Sequence, residues 1–427
     1  MMQDQYGNAL STSSARAQDA YVEGMNRFLA SAPDVEAAFA EAAAADPGFT
    51  LAHVGVARAR QARGNGKGAR EAIAEAHGTA AAGGLTEREK GHLHALGLLI
   101  DGKGGEAYPA VRAHLLDHPR DAMVAQTSLG VFSLIGFSGR PGREAENMAL
   151  ADQLAPHYGD DWWFLCQLAF AQMESGNYIA AEPNIERALA GKPRNANGAH
   201  YRAHLYYEVG EADAGYAYLT DWRKDYSRGG LLHCHITWHC ALWAMAWGDA
   251  AAMWTLADEG IDPLSGAEPA LNCLSDMAAL LYRAQLAGID VPRQRWERLS
   301  QYALTYFPEP GMAFADIHAA VAHAMAGNGE ALEKIITDAR GPAGDMVQPV
   351  AEAFKSLAAE DWPGAVASLT GVMAEHQRLG GSRAQRDLIE HALAGALLRL
   401  GKADEAKRVL IMHRPKTNMA GAIAGLH

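Results

Sequence analysis

Two pairs of histidines stand near the middle of this 427-residue chain, His200 with His204 and His235 with His239, each spaced i, i+4. On a helix that spacing puts both imidazoles on one face, a turn apart. Glu208 continues the first pair into an i, i+4, i+8 stripe, Trp238 stands beside the second, and Glu174 precedes both. Three chemistries use such a set. Neutral imidazoles with a carboxylate coordinate a divalent metal ion, and two histidines one helical turn apart are a recurrent half-site. The full HExxH string is absent, because Tyr201, Arg202 and Ala203 separate His200 from His204. Histidine is also suited to general acid–base catalysis, with Glu208 or Glu174 to orient it. Finally, His, Trp and Glu together hold a small polar molecule or a peptide through hydrogen bonds and stacking. A structural account competes with all three: the histidines could bond across helices in a crowded interior.

Further candidates lie on both sides of the second pair. Cys234 and Cys240 flank it, but Cys240 is one step from His239 and so points about 100° away on a helix, which suits a small buried core residue better than a Cys/His nucleophile. Asp276 and Arg283 are an i, i+7 pair on one helix face, either lining the same site or bracing neighbouring helices. Asp316 with His318 is a candidate from a later helix, and Gln385-Arg386-Asp387 opens another, with Ser382 as its cap. That last triplet either closes one end of a pocket or fixes the C-terminal turn of the fold. The aromatic density from Tyr201 to Trp254 reads first as core packing at helical spacing. Gly64 to Gly68 (GNGKG) lacks the preceding strand and the GK[ST] ending of a phosphate loop.

The elements that must position these residues are helices. From Ser13 onward, Ala- and Leu-rich segments of roughly 12 to 18 residues with helical periodicity alternate with short Gly, Pro, Asp or Asn punctuation. Val35 to Ala45, Leu51 to Arg63 and Thr86 to Ile100 are examples, the last opening with the capping-box string Thr86-Glu87-Arg88-Glu89. The pattern predicts about twenty helices joined by short loops, hence antiparallel hairpins. Gly176 and Gly210 lie 34 positions apart, each between two helical segments, which is the tetratricopeptide (TPR) period. Looser copies end at Gly248, Gly327 and Gly401. Counting back from Gly176, Gly210 and Gly248 sets Glu174, the His200 stripe and the His235 stripe on successive first helices, the ones that line the concave face of such an array. Packed neighbours sit about 8–10 Å apart, close enough to share a ligand.

Composition narrows the function. With 50 acidic against 37 basic residues the formal charge is −13, whereas a phosphate-binding surface needs clustered Lys and Arg. Nucleic acid is therefore not the expected partner. The four cysteines, Cys166, Cys234, Cys240 and Cys273, form no CxxC pair and no disulfide framework, which points to a reducing, cytoplasmic setting. The first residues lack the basic and apolar regions of a signal peptide, and no run approaches a membrane span, so no membrane association is expected.

Laid end to end, the chain resembles the tetratricopeptide repeat protein 38 family. The likeness is carried by Asp4-Gln5-Tyr6-Gly7-Asn8, Ala45-Asp46-Pro47 with Ala52-His53, the AHYRAHLYYEVG stretch from Ala199 to Gly210, and CHITWHCALW from Cys234 to Trp243. It continues through Asp276 with Leu280, Leu281 and Arg283, Phe314 to Ala319, and Gly380 to Asp387. The chain departs from the family in having Thr237 before Trp238, where two aromatics are usual, and in Trp162-Trp163. The resemblance implies an α-solenoid and brings no established activity. The expectation is thus an all-α, TPR-like α-α solenoid of antiparallel hairpins over residues 1–427, with an extended segment at 1–15, a tail at 415–427, and curvature enough to turn its concave side into a central cavity. The expected function is a binding protein taking a small polar ligand or peptide at the His/Trp/Glu cluster. The alternative is an enzyme acting on a small polar amide or ester, using a divalent metal ion held by His200, His204, His235 and His239 or a His–Glu acid–base pair.

Overall fold

Four of the loops that turn the chain back on itself share one chemistry. In Gly64-Asn65, Gly176-Asn177, Gly248-Asp249 and Gly327-Asn328 the glycine takes a left-handed φ between 76° and 79°. The Asn or Asp after it accepts the backbone N–H three residues on, from Gly68, Ala180, Ala252 and Ala331 in turn. Glycine ends one helix at little cost because it has no Cβ, and the next side chain caps the following helix. Two residues thus suffice to reverse direction, and consecutive helices pack antiparallel.

The computed structural model describes residues 2–262, 269–413 and 423–424, so most of the expected tail at 415–427 lies outside the described residues. Its contacts divide the chain into two compact units, one of residues 1–135, 145–201 and 229–232, the other of residues 136–144, 202–228 and 233–427. The first unit opens with the two-residue strands β1 (Met2–Gln3) and β2 (Ala9–Leu10), paired antiparallel. There follow α1 (Ala15–Leu29), α2 (Val35–Ala45), α3 (Thr50–Ala62), α4 (Gly66–Ala80), α5 (Glu87–Ile100), α6 (Gly104–Asp117), the single turn α7 (Ala122–Ala125), most of α8 (Arg143–Tyr158), α9 (Trp162–Glu174) and α10 (Tyr178–Gly191). The boundary falls within α11 (Ala196–Val209), after Tyr201. The second unit holds the rest of α11 and then α12 (Ala212–Arg223), α13 (His233–Ala246), α14 (Ala250–Gly260), α15 (Ala270–Leu286), α16 (Arg293–Tyr306), α17 (Ala313–Ala326), α18 (Gly329–Asp338), α19 (Gly344–Ala358), α20 (Trp362–Val372), α21 (Arg383–Arg399) and α22 (Ala403–His413).

This is an all-α, TPR-like solenoid of antiparallel helix pairs. Among the described residues none of its helices is long and apolar enough to cross a membrane. The helix read at Val35 to Ala45 forms over those residues, the one read at Leu51 to Arg63 begins and ends one residue earlier, and the Thr86–Glu89 capping box closes in both directions.

In the second unit the helices are of two kinds. Helix α13 is buried on every side from Cys234 to Met245, and α15, α17 and α21 are buried almost as completely. Helix α16 buries one stripe, Trp296, Leu299, Ser300 and Ala303, and α20 only Ala365, Leu369 and Val372. A helix apolar all round belongs to an inner layer and one with a single stripe to an outer layer. Polar side chains on α13, α15, α17 and α21 are therefore carried into the interior.

The first unit has its own polar centre, which the sequence pattern does not announce. Asp121, just before α7, accepts Arg88 Nη1 at 2.8 Å, His92 Nδ1 at 3.0 Å and His114 Nε2 at 3.0 Å on one oxygen, and all four side chains are buried. Arg88 also donates to the Ala9 carbonyl at 3.1 Å, which ties α5 to the N-terminal hairpin. Within that hairpin the Asp4 carboxylate takes the backbone N–H of Tyr6 and of Asn8, both at 2.9 Å. The first motif of the family resemblance is thus a turn. Burial alone would raise the Asp121 pKa, but the charges of His92 and Arg88 and the hydrogen bonds of His114 and His92 outweigh it and hold the carboxyl well below its ordinary value.

Two outcomes follow from these local devices. Replacing Asp121 by Asn leaves Arg88 buried without its carboxylate and is expected to destabilise the protein by about 3–5 kcal/mol, read as urea unfolding. Because the folded pKa is depressed, the stability this group contributes is full above the unfolded value of 3.8 and is lost as pH falls from there through the lower folded value. Melting temperatures of wild type should carry that acid loss and those of Asp121→Asn should lack it. At the α19–α20 loop Glu360 sits at φ 58°, where the four Gly-Asn and Gly-Asp loops use glycine. Glu360→Gly should therefore stabilise by about 0.5–1 kcal/mol; an unchanged or lower melting temperature would contradict that account of the loops.

Candidate functional site

Three histidines meet in the interior of the second unit. His204 comes from α11, and His235 and His239 come from successive turns of α13. One ring nitrogen from each lies within 4.8 Å of those of the other two. The His204 and His239 rings are 4.6 Å apart and meet edge to face, as do those of His235 and His239 at 5.0 Å. At 1%, 5% and 0% exposure none of the three presents a surface to solvent. An all-buried α13 places them there, since any side chain of that helix must point into protein.

Each ring is held by a different environment. His235 donates Nδ1–H to Asp276 of α15, with both carboxylate oxygens at 2.9 Å, since a carboxylate can only accept. That bond fixes the tautomer and leaves Nε2 as the lone-pair nitrogen. The other face of the His235 ring stacks on Trp238 at 5.1 Å and 15°. Asp276 is itself fully buried and also lies 3.6 Å from the Cys234 thiol and 3.4 Å from the Ser275 hydroxyl. Burial pushes the His239 pKa well below the ordinary value, and the charged forms of His204 and His235 and the Arg283 guanidinium push it the same way. His239 is therefore neutral at physiological pH.

A second set of bonds frames this cluster. Tyr207, one helical turn after His204 on α11, donates its hydroxyl to Asp387 of α21 at 2.6 Å and accepts Arg283 Nη2 of α15 at 3.0 Å. One phenol so joins three helices. Glu208 is paired with Arg383 at 3.1 Å. His318 of α17 donates Nδ1–H to the Phe314 carbonyl at 2.6 Å, and its pKa is lowered to about 4, chiefly by burial, while the Asp276 charge acts in the opposite sense.

The sequence candidates divide accordingly. His204, Glu208, His235, Trp238, His239, Asp276, Arg283, His318 and Asp387 all belong to the inner helices of the second unit. Asp276 and Arg283, read as one pair, take separate partners, His235 and Tyr207. Asp316 accepts the Gly311 N–H at 2.9 Å at the start of α17, its pKa raised to about 6 by burial. Gln385 and Ser382 close a capping box on α21, and Arg386 donates to the Gly381 carbonyl at 2.9 Å and pairs with Glu144 at 3.1 Å, so these residues shape the helix start. Cys240 faces Thr220, and burial pushes its thiol up to about 11, which removes it as a nucleophile at neutral pH. His200 and Glu174 belong to the first unit: His200 lies beside Tyr201 and Phe170, and Glu174 is buried at the end of α9. His200 continues the His204 face of α11 one turn earlier.

Tyr207 was absent from the sequence candidates. Its signal was available in HLYYE: a tyrosine three residues after a histidine shares the helix face with it. Tyr206, two residues after His204, lies off that face, and its ring is 6.2 Å from that of Tyr218.

No family model matches the chain. Among solved structures it is similar to a human IFIT1 dimer with m7Gppp-AAAA, at 15% identity over 96% of this chain and 89% of that one, with a TM-score of 0.45. It is also similar to yeast Tom70, at 14% identity over 94% and 84% of the two chains with a TM-score of 0.37, and to the TPR domain of P58(IPK), at 15% identity over 93% and 99% with a TM-score of 0.21.

Proposed function

We propose that this protein binds a small polar ligand at the buried imidazole cluster of its second unit. The observation that carries the reading is the convergence of His204, His235 and His239 at 5% exposure or less, with Asp276 and Trp238 holding one of them in place. An extended peptide needs exposed side chains to lie against, and these three offer none. A small molecule or ion fits the arrangement better, because a few placed polar groups in an otherwise apolar interior give orientation and specificity together.

A second reading has one observation in its favour. The His235–Asp276 dyad orients the ring so that Nε2 is the nitrogen turned away from the carboxylate, the arrangement a general base uses. In that case His235 would take a proton from a water attacking a small amide or ester, and Asp276 would stabilise the imidazolium formed.

Native mass spectrometry of the purified protein tests the binding reading directly. Wild type should carry an excess mass released on denaturation, and His239→Gln, checked for fold by circular dichroism, should lack it. A ligand at a hundred times its Kd stabilises by about 2.7 kcal/mol, so a screen of small polar molecules should also raise the wild-type melting temperature and leave that of the variant unmoved. Absence of both the excess mass and any selective thermal shift would refute the proposal. Hydrolysis of small esters or amides that is lost in Asp276→Asn with KM unchanged would favour the acid–base reading.

A further inference from the structure

We infer that His204, His235 and His239 are the protein ligands of a divalent transition metal ion of the zinc class, with Asp276 as the carboxylate that orients His235. The inference rests on the small-ligand reading of the same cluster and specifies what would hold that ligand. Three lines of geometry carry it.

The donor atoms are already gathered. Nitrogens bound to zinc at about 2.0–2.1 Å in a tetrahedron stand roughly 3.4 Å apart. Those of the three histidines lie within 4.8 Å of one another, at most about 1.4 Å beyond that spacing.

The outer partner is of the right kind. A metal-bound histidine characteristically donates its other ring N–H to a carboxylate, which fixes the tautomer and makes the coordinating nitrogen more basic. His235 does this to Asp276 through Nδ1 with both oxygens at 2.9 Å, leaving Nε2 to coordinate. Asp276 is not drawn away by the arginine on its own helix, because Arg283 donates to Tyr207. The Cys234 thiol and the Ser275 hydroxyl contact it only at 3.6 and 3.4 Å, longer than the His235 bonds.

The donor chemistry selects the ion. Imidazole nitrogens suit zinc, cobalt, nickel and copper, whereas magnesium and calcium require oxygen ligands. The Cys240 thiol is engaged by Thr220 and stands outside the set.

Titration of metal-free, full-length protein with Co(II), followed by displacement with Zn(II), tests the inference without needing any variant. Wild type should develop the visible d–d absorption of low-symmetry Co(II) at one equivalent, bleached by Zn(II), and protein purified without added metal should retain zinc by elemental analysis. His235→Ala and His239→Ala should each weaken Co(II) binding by more than about a hundredfold, and Asp276→Asn by about 10- to 100-fold. His157→Ala, at an exposed position of α8, should leave affinity unchanged. A wild type that shows neither absorption nor retained zinc overturns the metal centre. If native mass spectrometry then still finds an organic ligand lost in His239→Gln, the binding reading stands alone, and if it finds none both fall.

Discussion

The Asp276 carboxylate lies at the middle of the second unit with no exposure to solvent, and everything around it has to answer for that. Removing an ionised carboxyl from water costs several kcal/mol unless hydrogen bonds replace the lost hydration. Here the principal replacement is the His235 imidazole, and it is available only when α13 and α15 pack at one register and one rotation. A one-residue slip of α13 would turn His235 about 100° away from Asp276, and Trp238 would leave the ring it stacks on. The polar contact therefore does what apolar packing alone does poorly: it selects one alignment among the many that Ala- and Leu-rich helices permit.

Tyr207 has the same role a layer further out. Its hydroxyl donates to Asp387 and accepts from Arg283, so α11, α15 and α21 are referred to a single atom. Two of those helices are buried almost all round and carry few features that would otherwise distinguish one rotation from another. The outer helices need no such device. Their single apolar stripes set their rotation, and at α4, α10, α14 and α18 a Gly-Asn or Gly-Asp loop sets where the helix begins.

Much of the fold was legible because its signals are local. A capping box, a left-handed glycine and an Asx cap each involve residues within four positions, and boundaries such as the break at Gly176-Asn177 between α9 and α10 follow from them. The histidine faces were legible for the same reason, since i, i+4 spacing is a property of one helix. Partnership was not. Asp276 and Arg283 share a helix face and look like a pair, yet the partners they take lie on other helices, at positions no periodicity encodes. Asp121 shows the same limit from the other side. It precedes a helix of a single turn and carries no motif, and only the packed chain brings Arg88, His92 and His114 to it from two different helices.

The His235 Nε2 atom cannot be at once a metal ligand and a general base, because both uses need the same lone pair. As a base it becomes an imidazolium, and the cation then forms 5.0 Å from the His239 ring with the Asp276 carboxylate as its counter-ion. As a ligand the imidazole stays neutral, and the positive charge resides on an ion that the rings share. In both uses Asp276 has the same part, holding the Nδ1–H edge of His235 and supplying negative charge to a buried site, so the carboxylate fixes the orientation of the ring whichever chemistry its other nitrogen serves.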